Sequence, residues 1–118
     1  MFKKDWRLFA QDILESIARI ESYVADLAYE DFLADNKTQD AVVRNLEIIG
    51  EAARHIPQDV QSQHPGIPWA QLIGLRNRLI HGYFVVDYEI VWDIVKNELP
   101  GLKRKLAAIL EELRGKTA

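Results

Sequence analysis

The chain has 118 residues, 48% of them apolar and 28% charged, which suits one folded domain with a single buried core and argues against a disordered tail. Its 15 Lys and Arg against 18 Asp and Glu leave a formal charge of −3. That speaks against a protein that coats nucleic acid through a broad basic surface, so any contact with RNA has to be local. The absence of cysteine excludes disulfides, thiolate nucleophiles and cysteine-based zinc sites, and it fits a cytoplasmic setting.

Met1 to Arg7 includes two lysines with no apolar run behind them, so neither a signal peptide nor a membrane span is expected. Trp6, Phe9, Ile13, Ile17, Ile20, Val24 and Leu27 follow in steps of three or four, predicting a first helix of roughly six turns. Asp31 to Lys37 interrupts this pattern, and Thr38 is the expected N-cap of a second helix. That helix turns Val42, Leu46, Ile49, Ala53 and Ile56 inward and Arg44, Glu47, Glu51 and Arg54 outward, and it ends at Pro57. Prolines 57, 65 and 68 with Gly66 mark a loop holding one short helical turn. Pro68 suits the first turn of a third helix, predicted from about Trp69 to His81 and stopped by Gly82. After a short apolar connector, Asp87 is expected to cap a fourth helix carrying Ile90, Val91, Ile94 and Val95. Pro100-Gly101 should interrupt it before a last helix with Leu102, Leu106, Ile109, Leu110 and Leu113. No repeat or linker is present, so residues 1–118 read as one all-α domain, an up-and-down bundle of four to five helices.

The densest chemistry lies in Arg76-Asn77-Arg78-Leu79-Ile80-His81-Gly82-Tyr83. Arginine holds phosphate and histidine moves protons near neutral pH. On a helix turning ~100° per residue, Leu72, Leu75 and Leu79 share a narrow arc. Asn77 and His81 then lie together on the opposite side, flanked by Arg76 and Arg78. Gly74 on the polar side would leave room for a ligand or a second subunit. Basic residues and a histidine before a terminal glycine also describe an ordinary helix end, so both readings stand on this window alone.

The segment Arg76 to Phe84 resembles the Arg-x4-His-x-Tyr signature of the HepT-like family within the HEPN superfamily. Further stretches resemble that family in the same order: Asp12 to Ile17, Ala41 to Ala53, Ile67-Pro68-Trp69, Val86-Asp87 and Ile90-Val91-Trp92. Together they cover essentially residues 5–113. The resemblance implies an all-helical HEPN fold, a homodimer, and a toxin endoribonuclease that needs no metal ion or other cofactor, with tRNA among its targets. Arg76 and His81 become the implied catalytic pair. On their own residue types, Asn77 and Arg78 are supporting or RNA-binding candidates; an exposed helix asparagine is the alternative for Asn77, and a contact with the partner or a solvated helix charge for Arg78. A minimal nucleotidyltransferase antitoxin of the MntA type is the implied partner, and Tyr83 the residue to which it transfers AMP.

The chemistry of these residue types agrees. RNA carries its own nucleophile in the 2′-hydroxyl, so cleavage needs a proton acceptor, a proton donor and stabilisation of the phosphorane. His81 can move the proton and Arg76 can bind the phosphate oxygens. A two-fold dimer would supply the second histidine. Glu47 and Glu51, one turn apart, are weaker candidates that would fix Arg76 by an ion pair; a solvated helix face explains them as well. His55 and His64 read as surface or cap residues without metal-ligand spacing. Lys103, Arg104 and Lys105 read as a solvated face, and the tryptophans as core or interface. The alternative function is a non-catalytic HEPN module that binds a nucleotide or docks a nucleotidyltransferase; the intact Arg76 and His81 favour the nuclease.

Overall fold

In the computed structural model, residues 5–83 and 85–117 are described, the last two of them as backbone only. Met1 to Lys4, and Phe84 at the end of the signature segment, lie outside the described residues.

Helix α1 (Trp6–Val24) is capped by Asp5, whose carboxylate accepts the Arg7 N–H at 3.0 Å. It buries Ala10, Ile13, Ile17, Ile20 and Val24, the face its spacing predicts. The helix stops short of Leu27 because Ala25 turns out of the helical region, ψ 130°, and Asp26 follows in the left-handed conformation, φ +64°. The stretch read as an interruption contains part of a short helix, α2 (Tyr29–Leu33). One turn is too brief for periodicity to reveal, yet it carries the fully buried Phe32, packed on Trp92 at 5.1 Å and edge-on to Tyr88 at 6.1 Å.

Helix α3 (Asn36–Arg54) begins earlier than expected. Its cap is Asp35, which accepts the Thr38 N–H at 3.1 Å and the Thr38 hydroxyl at 2.6 Å. Thr38 therefore answers a cap instead of providing one. The buried Gln39 amide donates to the Phe32 and Leu33 carbonyls, tying α2 to α3. Helix α4 (Gln58–Gln63) is the short turn expected within the proline-rich loop.

The predicted third helix is divided into α5 (Trp69–Ile73) and α6 (Leu75–Leu79), with Gly74 between them. It ends at Leu79, before His81. Ile80 is extended, and Ile80–His81 forms strand β1, paired antiparallel with β2 (Val85–Val86). Gly82 turns this hairpin at φ +65°, a conformation open to glycine at little cost. The Asp87 N–H closes the hairpin on the Leu79 carbonyl at 2.8 Å.

Asp87 caps α7 (Tyr88–Asp93) as expected, accepting the Ile90 N–H at 3.1 Å. Pro100-Gly101, however, does not interrupt the chain. A π-helical turn (Ile94–Glu98) leads directly into α8 (Leu99–Thr117), and the Leu99 N–H reaches back five residues to the Ile94 carbonyl. This wider turn carries the helix past a proline that has no N–H to donate.

The fold is an all-α bundle built on α1, α3 and the continuous α7–α8 unit, with α2, α5 and α6 packed against α3. Ile13, Ile17, Ile20, Leu46, Ile49, Leu75, Leu79, Ile94 and Leu106 form its fully buried centre. Among the described residues, no helix is long and apolar enough to cross a membrane.

Candidate active site

The close seat of α5 and α6 on α3 positions Arg76. Leu72, Leu75 and Leu79 are buried, as their shared arc requires, and this leaves Arg76 and Asn77 exposed. Gly50 on α3 permits the approach: a Cβ there would lie 2.9 Å from the Leu72 carbonyl oxygen and 3.6 Å from the Leu75 Cβ. Gly74 also has a local reason. A Cβ at that position would press on the Ala70 carbonyl at 3.2 Å, so this glycine eases the junction of α5 and α6.

Beside Arg76 opens a cavity of about 450 Å3 between α1, α3 and α5–α6. Its walls include Asp12, the outer stripe of α3 from Arg44 through Glu47 and Glu51 to His55, and Arg76 itself. Glu47 and Glu51 thus turn away from the core, as read, and border the same space as Arg76. The expected ion pair is not formed: among the described residues no carboxylate lies within 4.0 Å of Arg76, and Glu51 instead faces His55 Nε2 at 3.5 Å. His55 and His64 end α3 and α4 as cap residues.

His81 is not among the residues lining this cavity. It stands on β1, largely exposed, with Nε2 3.4 Å from Asp87 Oδ2. That separation is longer than a good hydrogen bond but close enough for one to tighten when a ligand binds. Asp87 therefore does two things: Oδ1 caps α7 while Oδ2 faces the imidazole. The expected Asn77–His81 pairing fails, because a four-residue separation means one helical turn only within a helix, and α6 ends between them. Asn77 is exposed on α6.

Arg78 is held by Glu98 of the π turn in a two-pronged ion pair, at 3.0 and 2.7 Å. Glu98's hydrogen bonds raise the Arg78 pKa above its ordinary value, against a smaller opposing cost of partial burial. Tyr83 sits at the hairpin tip, 89% exposed and two residues beyond His81. Among the described residues, no group of three or more His, Asp or Glu is placed to hold a metal ion. The functional candidates missed in the sequence are Gly50, which looks like any small helix residue, and Asp87 as a histidine partner. The signal for Asp87 was present, since a capping aspartate uses one oxygen and leaves the other available.

The arrangement offers a guanidinium beside a cavity and an imidazole backed by a carboxylate, the groups that phosphodiester cleavage uses. Residues 13–109 match the family described as Ribonuclease HepT-like. The chain is 44% identical over 115 residues to a protein of Methanocaldococcus jannaschii named as a candidate RNase, covering 98% of this chain and 95% of that protein. It is 47% identical over 103 residues to a protein of Thermococcus cleftensis named "Probable ribonuclease HepT", covering 87% of this chain and 94% of that protein. A protein of Caldanaerobacter subterraneus, also named as a candidate RNase, is 36% identical over 106 residues, which span 90% of this chain and 95% of that one. No solved structure matches.

Proposed function

Because the chain belongs to the ribonuclease HepT-like family and is an RNA-cleaving enzyme of the HEPN type, we propose that it is the toxin of a toxin–antitoxin pair. It acts as a homodimer in the cytoplasm and cleaves RNA, tRNA among its targets, without a metal ion or other cofactor. Arg76 and His81 carry the reaction. The observation that supports this most is the exposed His81 with a carboxylate 3.4 Å from one ring nitrogen.

In this mechanism Asp87 receives the Nε2–H of His81, which leaves Nδ1 as the proton-transferring atom. One imidazole takes the proton of the 2′-hydroxyl as its oxygen attacks the adjacent phosphorus. A second imidazole, from the other copy in the dimer, protonates the departing 5′-oxygen. Arg76 binds the non-bridging oxygens and stabilises the phosphorane. Asn77 adds an exposed amide next to Arg76 for RNA contact, and Arg78 supports the site by anchoring α6 to the π turn. The products are a 2′,3′-cyclic phosphate and a 5′-hydroxyl.

A minimal nucleotidyltransferase of the MntA type silences the toxin by transferring AMP to Tyr83. The exposure of this residue at the hairpin tip suits transfer, and the adduct would place bulk and negative charge two residues from His81. Two measurements test the proposal. Purified protein incubated with RNA in a chelator should generate cyclic-phosphate ends, and His81→Ala should not; 3′-hydroxyl ends would refute the mechanism. After incubation with the partner and ATP, mass spectrometry should locate an AMP adduct on Tyr83, and an unmodified tyrosine would remove that part. RNA left intact by the unmodified protein would favour the non-catalytic docking module.

A further inference from the structure

The cavity beside Arg76 contains groups that the cleavage chemistry does not use. His55 stacks on Phe9, with ring centroids 5.1 Å apart and planes inclined by 16°. Glu51 stands 3.5 Å from its Nε2, while 53% of the His55 side chain remains exposed. Arg44 and Arg76 look into the cavity from different walls, and neither has a carboxylate within 4.0 Å among the described residues. Glu47, one turn along α3 from Arg44, is half-buried in the same wall and pairs with no cation among the described residues.

The signs of these charges narrow the ligand. A site for the phosphate backbone alone would be lined by cations, and carboxylates would repel its ligand. This cavity mixes guanidiniums and carboxylates around a flat aromatic surface. Such a lining suits a molecule that is anionic at one end, planar in the middle and rich in hydrogen-bond donors at its edge. A nucleotide has that form. Among the RNA bases, guanine presents two adjacent donors, N1–H and N2–H2, which match the two oxygens of one carboxylate; uracil presents a single N3–H. The cavity volume of about 450 Å3 falls within the roughly 300–1,000 Å3 typical of sites for such ligands.

We propose that this cavity is a guanine-preferring nucleotide subsite for the RNA strand. Arg44, with Arg76, receives the phosphate, the Phe9–His55 pair supports the base, and Glu47 reads its edge. The assignment rests on the ribonuclease reading for its biological role, but its binding chemistry can be measured separately.

The test is calorimetric titration of full-length His81→Ala protein with 5′-GMP, 5′-AMP and 5′-UMP; His81 does not line the cavity, so the subsite stays intact. GMP should bind about tenfold more tightly than UMP. Glu47→Gln should reduce that advantage to less than about threefold. Arg44→Ala should weaken all three nucleotides by a similar factor, and His55→Ala should weaken all of them at least fivefold through lost stacking. Equal binding of GMP and UMP, no binding of any nucleotide, or a GMP preference untouched by Glu47→Gln would each overturn the proposal. Cleavage by the wild-type protein is then scored independently. Robust RNA cleavage without GMP binding removes the subsite and leaves the ribonuclease intact. GMP binding with the expected variant effects but no cleavage supports the subsite and counts against the nuclease reading.

Discussion

Replacing Gly50 by alanine should destabilise the protein, although the same change in an open helix would stabilise it. In a helix interior, Gly→Ala contributes about 1 kcal/mol through lower chain entropy and better helix propensity. At position 50 the new methyl would lie 2.9 Å from the Leu72 carbonyl oxygen, 3.6 Å from the Leu75 Cβ and 3.9 Å from the Ile73 carbonyl oxygen. The closest of these atoms belongs to the backbone of α5, so no rotamer change relieves the contact. Helices α5 and α6 must move outward by several tenths of an ångström, and overpacking of this kind costs about 1–3 kcal/mol. The net effect should be a loss of about 1 kcal/mol, which lowers the melting temperature by roughly 4 °C for a chain of this length. Gly101→Ala is the internal control: its Cβ would meet only the flexible Arg104 guanidinium, at 3.9 Å, so that variant should gain stability. Urea unfolding followed by circular dichroism reads both. A Gly50→Ala protein as stable as the wild type or more so would refute the argument that this glycine sets the seat of α5 and α6. Because α6 carries Arg76, RNA cleavage by the variant should fall as well.

The two signature arginines should separate cleanly. Arg76→Ala should reduce cleavage at least about a hundredfold with an unchanged melting temperature, whereas Arg78→Ala, which breaks the pair with Glu98, should cost about 1 kcal/mol of stability in chemical unfolding. If both variants lost stability equally, the assigned roles would be wrong. Asp87 divides into its two oxygens: Asp87→Ala should lose about 1 kcal/mol through the missing α7 cap, while Asp87→Asn keeps a competent cap and should lose roughly tenfold in kcat through the missing charge beside His81. Cleavage at the wild-type rate by Asp87→Asn would refute the positioning role. Asp35 supplies a pH dependence. The Thr38 hydroxyl, followed by its amide, holds the Asp35 pKa below the usual 3.8. Its contribution is therefore full above the ordinary aspartate pKa and disappears as pH falls through the lower folded-state value. Acid unfolding below about pH 4 should accordingly be less steep in Asp35→Asn than in the wild type; identical acid limbs would contradict it.

Much of the fold was legible in the sequence because its signals are local. The apolar stripes of α1 and α3 recur every three or four residues, within the reach of one helical turn, and the capping role of Asp87 is a contact with Ile90 only three positions away. The signature residues were equally readable, since Arg76, His81 and Tyr83 are recognised by type and spacing. What the spacing could not determine was the structure on which they stand. Leu79 ends α6 because its carbonyl receives the Asp87 N–H from the far side of the hairpin, and this moves His81 off the helix and away from Asn77. Arg78 is engaged by Glu98, twenty positions later, which no window around the signature contains. The π turn that carries the chain past Pro100 is likewise invisible to a 3.6-residue period.

Helical spacing placed the charged side chains of α3 outside the core, but it could not distinguish an outward charge in open solvent from one bordering a cavity. Arg44, Glu47 and Glu51 were correctly placed outside the core from their positions on α3. Only the packing of α1 and α6 beside that helix turned them into a wall next to Arg76. The sequence by itself determined the long helices and their buried faces and singled out the candidate site residues, since each of these signals lies within a few positions along the chain. Tertiary structure decided which of those residues face one another, because the distances between elements depend on how closely backbones pack, as at Gly50, and on hydrogen bonds between residues far apart in the chain.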